Sequence, residues 1–424
     1  MIAWLLVIQL LLFFVSPVYA SEIDQDIPVE KIIYSLPEAE NNASIILIDY
    51  NHNEIAEKSV TKYISFFTER IRERFSLWLS RSGKYIDLMG EILKENSIPE
   101  VMVFIPLIES GFNPNACSPA RAVGYWQFIA STAKKYGLVI NWWMDERKDP
   151  VKSTVAAANY FKDLYDMFGS WNLAMAAYNA GEGKILRALN KTNADDYWSL
   201  LGTRYIKPET KDYVPKFIAA SLIATRPEEF GFEDLEYHPP LDYDEATLFS
   251  PIDLEVAAEC AETTIGVIKE LNPELRRWCT PPDVSQYTLR IPAGKKNIFL
   301  ENLSQIPEEK RFSVDIYTVK KKDTFKSISK KTGVPVQVIL DLNSLEKIIP
   351  LKTGEKIYLP PKGKFVLDKE DRSAIKKASL KHKKKVLKKR KASREKMIKK
   401  ASTKNKKEVA KNKYKKDLTF LFLG

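Results

Sequence analysis

Between Pro99 and Gly111 the chain carries an apolar run that ends on a carboxylate, and no other stretch restricts the fold as strongly. Val101, Val103, Phe104, Leu107 and Ile108 read as the buried face of a helix, and Glu109, Ser110 and Gly111 follow at once. Pro99 suits a first helical turn, and Gly111 suits the left-handed residue just past a helix end. Such a helix sets the Glu109 carboxyl at the lip of an apolar core. Removal from water penalises the charged form, so a glutamate placed there can keep its proton near neutral pH and act as a general acid. A single glutamate at a helix end is ordinarily a solvated surface residue, so the reading depends on what accompanies Glu109.

Four short motifs follow in order: IESGFNP at Ile108 to Pro114, GYWQF at Gly124 to Phe128, AYNAG at Ala177 to Gly181 and ETKDYV at Glu209 to Val214. Their order and intervals resemble those of the soluble lytic transglycosylase family, and within it the membrane-bound lytic murein transglycosylase D branch. The likeness runs from about Arg81 to Pro227. It implies a mainly α chain with a lysozyme-like helical catalytic domain, expected over residues 98–235. It also implies cleavage of the β-1,4 bond between N-acetylmuramic acid and N-acetylglucosamine. By the same resemblance Glu109 is the acid/base and Ser110 helps hold the substrate. Gln127 belongs to the motif that shapes the cleft floor, Tyr178 and Asn179 line the cleft near the acid, and Tyr213 lies near the reacting sugar. Gln127 could equally be structural, and Tyr178 and Tyr213 could be core aromatics.

Met1 to Ala20 reads as a targeting segment: Leu5 to Val15 is almost wholly apolar, and Val18, Tyr19 and Ala20 offer a signal-peptidase site. No Lys or Arg precedes the apolar run, so an uncleaved anchor stays open. Either form places the protein outside the cytoplasm, in the periplasm or cell envelope of a bacterium. Residues 21–57 read as an irregular lead-in. Charge is unevenly spread, since Lys369 to Lys416 holds 23 basic against 4 acidic residues, so the chain's +11 divides into +19 there and −8 elsewhere. The folded part is therefore mildly acidic, which removes the support that overall charge gives to specific nucleic-acid binding. The tail, residues 362–424, has the composition of a solvated, disordered segment, and its charge would be drawn to anionic envelope surfaces.

Val60, Ile64, Phe67, Ile71, Phe75 and Leu79 predict one long amphipathic helix, and Tyr85, Leu88, Met89, Ile92 and Leu93 a second. Together they form a helical brace over residues 58–97. Asp149 and Pro150 predict the cap and first turn of a helix reaching Phe168, and Gly169 ends it. Trp142 and Trp143 fit either a sugar-stacking surface or a wedge between helices.

Past Pro239 the pattern changes. Residues 315–361 read as strand, helix, helix, strand and resemble a LysM module, a βααβ unit that binds N-acetylglucosamine-containing glycans through two loops. Lys322 departs from the family by standing where a glycine usually precedes Asp323. Leu254, Ala257, Val267, Ile268, Leu271, Asn272, Leu289 and Ile291 echo Phe325, Ile328, Val338, Ile339, Leu342, Asn343, Ile357 and Leu359 at an offset of about 70 residues. Residues 250–294 are therefore expected to be a degenerate LysM-like module, or else a spacer that binds no sugar. Cys260 and Cys279 could form a disulfide in an oxidising compartment, and Cys117 is expected to be a small buried residue. His52, His238 and His382 match no ligand spacing, so no metal or cofactor is expected.

The resemblance implies that Glu109 protonates the bridging oxygen and then, as base, helps close a 1,6-anhydro ring, with peptidoglycan strands as partner. Two other readings compete. A hydrolytic lysozyme would need a second carboxylate, for which Asp145, Glu146 and Asp149 are candidates; a non-catalytic wall binder would use only the modules.

Overall fold

The computed structural model describes residues 54–364. The targeting segment, nearly all of the lead-in and the Lys-rich tail beyond residue 364 lie outside the described residues. Two compact units make up the rest, 54–112 with 157–239 and 113–156 with 240–364.

All regular elements of the first unit are helical. Where the sequence predicts one long helix there are two, α1 (Glu54–Ser65) and α2 (Arg72–Ser82). Between them Phe66–Arg70 makes a π turn closed by the Ile71 N–H on the Phe66 carbonyl at 3.1 Å. The wider turn absorbs an extra residue and resets the helical phase. Phe67, Phe75 and Leu79 are therefore buried, while Ile64 and Ile71 keep part of their surface. Helix α3 (Ile86–Glu95) adds Met89, Ile92 and Leu93 to the core.

The run that ends on Glu109 is not one helix from Pro99. Pro99 is extended at φ −54°, ψ 126°, Glu100–Phe104 forms a 3-10 turn, and α4 (Ile105–Ser110) begins only after it. Pro106 has no N–H for the Met102 carbonyl, which takes the Ile105 N–H instead and tightens the turn. Gly111 does end α4 in the left-handed region, at φ 57°. A side chain there is excluded twice, because a Cβ would lie 2.3 Å from the Trp78 ring.

Helix α5 (Ala130–Lys135) belongs to the second unit, and the boundary between units falls within α6 (Pro150–Phe168). As the sequence predicts, Asp149 caps α6, its Oδ1 accepting the Lys152 N–H at 2.8 Å. Helices α7 (Trp171–Ala180), α8 (Glu182–Thr192), α9 (Tyr197–Leu201) and α10 (Pro208–Thr225) complete the first unit. Ala174, Ala176 and Ala177 are fully buried and let α7 lie close against α10, which also packs on α4. Pro215 inside α10 leaves the Lys211 carbonyl without its helical donor. The Tyr197 hydroxyl satisfies that oxygen at 2.6 Å.

The second unit contains two βααβ modules. The first pairs β1 (Tyr243–Leu248) antiparallel with β2 (Tyr287–Pro292) around α11 (Leu254–Cys260) and α12 (Ile265–Leu271). Its opening strand thus precedes residue 250. Helices α13 (Lys296–Gln305) and α14 (Glu308–Arg311) connect it to the second. There β3 (Asp315–Thr318) pairs with β4 (Lys356–Leu359) around α15 (Phe325–Thr332) and α16 (Val336–Leu342). One asparagine fastens each module in the same way. Asn272 Nδ2 donates to the Ile268 and Arg290 carbonyls at 2.8 and 2.7 Å, and its Oδ1 accepts the Arg290 N–H at 2.9 Å. Asn343 repeats this with Ile339 and Tyr358 at 2.6, 2.9 and 2.8 Å. The repeat therefore preserves a contact as well as an apolar pattern.

Lys322 takes the left-handed conformation, φ 70°, that a glycine would adopt freely, so the turn survives the departure at some cost in strain. Asp323 beside it accepts from Lys331 Nζ, the Tyr317 hydroxyl and the Lys320 N–H at 2.6, 2.7 and 3.0 Å. Those bonds, the one from Lys331 first, hold its carboxyl well below the usual range.

The first module also grips the segment 141–149. The Arg276 N–H donates to the Trp143 carbonyl at 2.9 Å, its guanidinium to the Asn141 carbonyl at 2.6 Å, and the Asp145 N–H to the Glu274 carbonyl at 2.9 Å. Arg290 pairs with Asp149 at 2.9 Å inside the unit. Trp143 is fully buried, edge-on to Trp278, with Nε1 donating to Asp341 Oδ2 at 2.9 Å. It is a wedge; Trp142 lies under the Arg277 guanidinium, 3.7 Å from ring centroid to carbon. Two cysteine expectations are corrected. Cys260 and Cys279 are both free thiols, since they sit in the separate cores of the first and second modules, and Cys117 is exposed rather than buried.

Candidate active site

Three elements of the first unit bring the predicted residues together. Glu109 ends α4, Tyr178 and Asn179 end α7, and Tyr213 lies one turn beyond Glu209 and Thr210 on α10. The Tyr213 hydroxyl donates to Glu109 Oε1 at 2.7 Å. Tyr178 stacks on Phe161, with ring centroids 4.5 Å apart and planes at 14°, and leans on Tyr160. Thr210 donates to Asn179 Oδ1 at 3.0 Å and fixes which way that amide faces. Ser110 turns its hydroxyl back to the Pro106 carbonyl at 3.1 Å.

The electrostatics are those of an acid held neutral. Glu109 is partly buried, and loss of solvent pushes its carboxyl up from 4.5 to about 7. The Tyr213 hydrogen bond and the Lys216 charge oppose that rise, and Glu209 adds to it. Tyr178 and Tyr213 are both pushed well above the ordinary phenol value, first by burial and next by the Glu109 charge. Both hydroxyls therefore remain protonated donors at any working pH. The Tyr213 hydroxyl is bonded to the acid, and the Glu109 charge also bears on Tyr178.

The second unit holds Gln127, the remaining predicted residue. It adopts a left-handed φ of 49°, and Nε2 donates to the Gly124 and Ala116 carbonyls at 2.8 and 3.3 Å. Its amide nitrogen therefore braces the loop of its own motif. Gly124 is required there, because at φ 84° a Cβ would lie 1.8 Å from the Arg147 carbonyl oxygen. Trp126 is buried with Nε1 on the Thr154 hydroxyl at 3.0 Å.

The three carboxylates considered for a hydrolytic site are engaged elsewhere. Asp145 receives Arg147 through two bonds of 2.8 and 2.7 Å, Glu146 pairs with Lys152 at 2.6 Å, and Asp149 with Arg290. Sequence reasoning did not single out Thr210, Glu209 or Lys216. Their signal was present, since Glu209, Tyr213 and Lys216 follow the i, i+4, i+7 spacing of one helical face.

Comparison with known proteins gives the family. Residues 89–201 match the transglycosylase SLT domain family, 244–308 the LysM-like domain of the lytic transglycosylase MltD, and 317–360 the LysM domain. Membrane-bound lytic murein transglycosylase D of Escherichia coli K12 is 31% identical over 321 residues, 69% of each chain. Membrane-bound lytic murein transglycosylase C of Haemophilus ducreyi is 24% identical over 162 residues, 32% of this chain and 44% of the relative. Among solved structures, the 70 kDa soluble lytic transglycosylase of Escherichia coli is 24% identical, with a TM-score of 0.31, across 46% of this chain and 32% of that one. By its SLT domain, its two module types and its identity across two thirds of that relative, this chain belongs to the membrane-bound lytic murein transglycosylase D family and is a lytic transglycosylase.

Proposed function

We propose that the protein cleaves the β-1,4 bond between N-acetylmuramic acid and N-acetylglucosamine in peptidoglycan and leaves a 1,6-anhydro-muramic acid end. The observation that carries this reading is the Glu109 carboxyl, pushed up to about 7 and held by the Tyr213 hydroxyl at 2.7 Å. A carboxyl with that value is still protonated in about half of the molecules at neutral pH, which suits one group that must first give a proton and then take one back. Glu109 protonates the bridging oxygen as the bond to the anomeric carbon breaks, and the substrate's N-acetyl oxygen captures that carbon. The Glu109 carboxylate then removes the proton of the sugar's 6-hydroxyl, whose oxygen displaces the acetamido oxygen and closes the ring. No water is consumed. Tyr178, Asn179 and Tyr213 hold the sugar, so that internal attack outruns solvent. Ser110 completes the proposed substrate contacts of this unit, and the part proposed for Gln127 in substrate binding is to hold the loop of its own motif.

The second module, residues 315–361, is the proposed glycan-binding part that keeps the enzyme on the cell wall. The first module acts as a bracket, because its loop after α12 is taken up by segment 141–145. The targeting segment supports export to the periplasm or cell envelope. Digestion of purified peptidoglycan in heavy-oxygen water tests the chemistry. Anhydro ends about 18 mass units lighter than reducing ends, and free of label, are expected. Labelled reducing ends would replace this reading by hydrolysis.

A further inference from the structure

Asp145 and Arg147 form a buried ion pair that the proposed reaction does not use. One edge of the Arg147 guanidinium, Nε and Nη2, donates to the two Asp145 carboxylate oxygens at 2.8 and 2.7 Å. The other edge belongs to the motif loop. Nη1 donates to the Arg121 and Phe128 carbonyls, each at 3.1 Å, and so ties together the two ends of the segment that carries Trp126 and Gln127. The Val123 N–H closes the same neck on the Phe128 carbonyl at 3.1 Å. Between the two ends, the Arg147 main chain lies so close over Gly124 that no side chain fits there.

Asp145 is itself fixed from its other side. Its N–H donates to the Glu274 carbonyl of the first module at 2.9 Å, and beside it Met144 and Leu275 pair as an antiparallel bridge. A path of hydrogen bonds therefore runs from the first module through Asp145 and Arg147 to both ends of the loop. Stability alone is a weak reason for such a pair, because desolvating two charges offsets most of their attraction and well-packed apolar residues often do as well. Apolar residues cannot supply direction. A guanidinium is planar, with its donors fixed relative to one another, so bonding one edge to Asp145 sets where the carbonyls on the other edge must lie.

We propose that Arg147, aimed by Asp145, is a positioning residue for the cleavage reaction and holds the Gln127 loop in the shape that orients the glycan strand. The proposal rests on the reading that this loop takes part in substrate binding. A loop displaced by a fraction of its length still binds sugar but presents it in fewer productive arrangements, so the loss falls on kcat more than on KM.

The test uses the full chain, with kcat and KM measured on purified peptidoglycan strands and hydrogen exchange followed by mass spectrometry. Arg147→Lys keeps a charge beside Asp145 but loses the fork. It should fold with a Tm within a few degrees of wild type and lower kcat roughly tenfold, with KM changed by less than about twofold. Exchange over residues 121–128 should quicken while exchange over α3 stays as in wild type. The paired variant Asp145→Leu with Arg147→Met strands no charge, so it decides the matter if the lysine variant does not fold. The same loss of kcat is expected of it. Gln127→Ala separates the two readings. If that substitution lowers kcat/KM and neither Arg147 variant does, the positioning proposal is overturned while the loop's part in binding stands. If none of the three changes activity, both are overturned. A fall in activity that follows Tm, with exchange raised equally over α3 and the loop, marks a purely structural role and also overturns the proposal.

Discussion

Replacing Glu109 by glutamine should remove activity and at the same time make the protein more stable above neutral pH. The folded protein keeps the Glu109 proton up to about pH 7, whereas an unfolded glutamate loses it near 4.5. Between those values the folded state binds more protons, so stability falls as pH rises through the window and is level on either side of it. The gap corresponds to about 3 kcal/mol at full size, an upper figure because the side chain keeps some contact with solvent. Glutamine is neutral throughout, keeps an oxygen for the Tyr213 hydroxyl, and escapes that loss. Thermal unfolding followed by near-ultraviolet circular dichroism at pH 5, 6, 7 and 8 should show a variant advantage that is small at pH 5. The advantage should grow to several degrees in Tm by pH 8. Cleavage by the same preparations should drop on the order of a hundredfold or more. A stability difference independent of pH would refute the buried-acid account, and activity within tenfold of wild type would remove Glu109 from the chemistry.

The wild-type kcat/KM should decline as pH rises through about 7, following loss of the Glu109 proton. Tyr213→Phe removes a bond that lowers that value, so the pH profile should move to higher pH while activity drops roughly tenfold; an unmoved profile would detach Tyr213 from the acid. Gly124→Ala should cost about 3 kcal/mol or more in chemical unfolding, since φ 84° and the Arg147 carbonyl both exclude a side chain. A loss under 1 kcal/mol would contradict the placement of that loop. Trp143→Ala should cost about 3–5 kcal/mol and weaken peptidoglycan pull-down through the second module, because the indole is fully buried and bonded to Asp341. Unchanged pull-down and stability would show that the wedge is dispensable. Because the first module grips segment 141–149, removing residues 250–424 should also disturb the catalytic chain's own loop, visible as lost cleavage of short glycans.

Much of this protein was legible in its sequence because the relevant signals are local. Glu109 followed by Ser110 and Gly111 places a carboxyl at a helix end. Asp149 before Pro150 starts α6, and the spacing of Phe325, Ile328, Val338 and Ile339 lays out a βααβ unit. Each depends on propensity, capping or periodicity within about a dozen residues, which side chains report directly. The repeat was legible because the same packing requirement was written twice.

Tertiary structure decided whatever depends on partners distant in the chain. Whether Trp143 faces sugar or core was settled by Asp341 and Trp278, more than a hundred residues away. The free thiols of Cys260 and Cys279 followed from the assignment of two nearby segments to different cores. The π turn at Phe66–Arg70 broke a helix that periodicity alone continues. Glu109 is the clearest case. Its position at a helix end is a property of thirteen residues, but its readiness to hold a proton comes first from burial in the packed unit and is then adjusted from a helix that begins about a hundred residues later, where Tyr213 and Lys216 oppose it and Glu209 adds to it. Desolvation and Coulomb forces act through space, so the sequence could name the acid while only the packed helices could set its pKa.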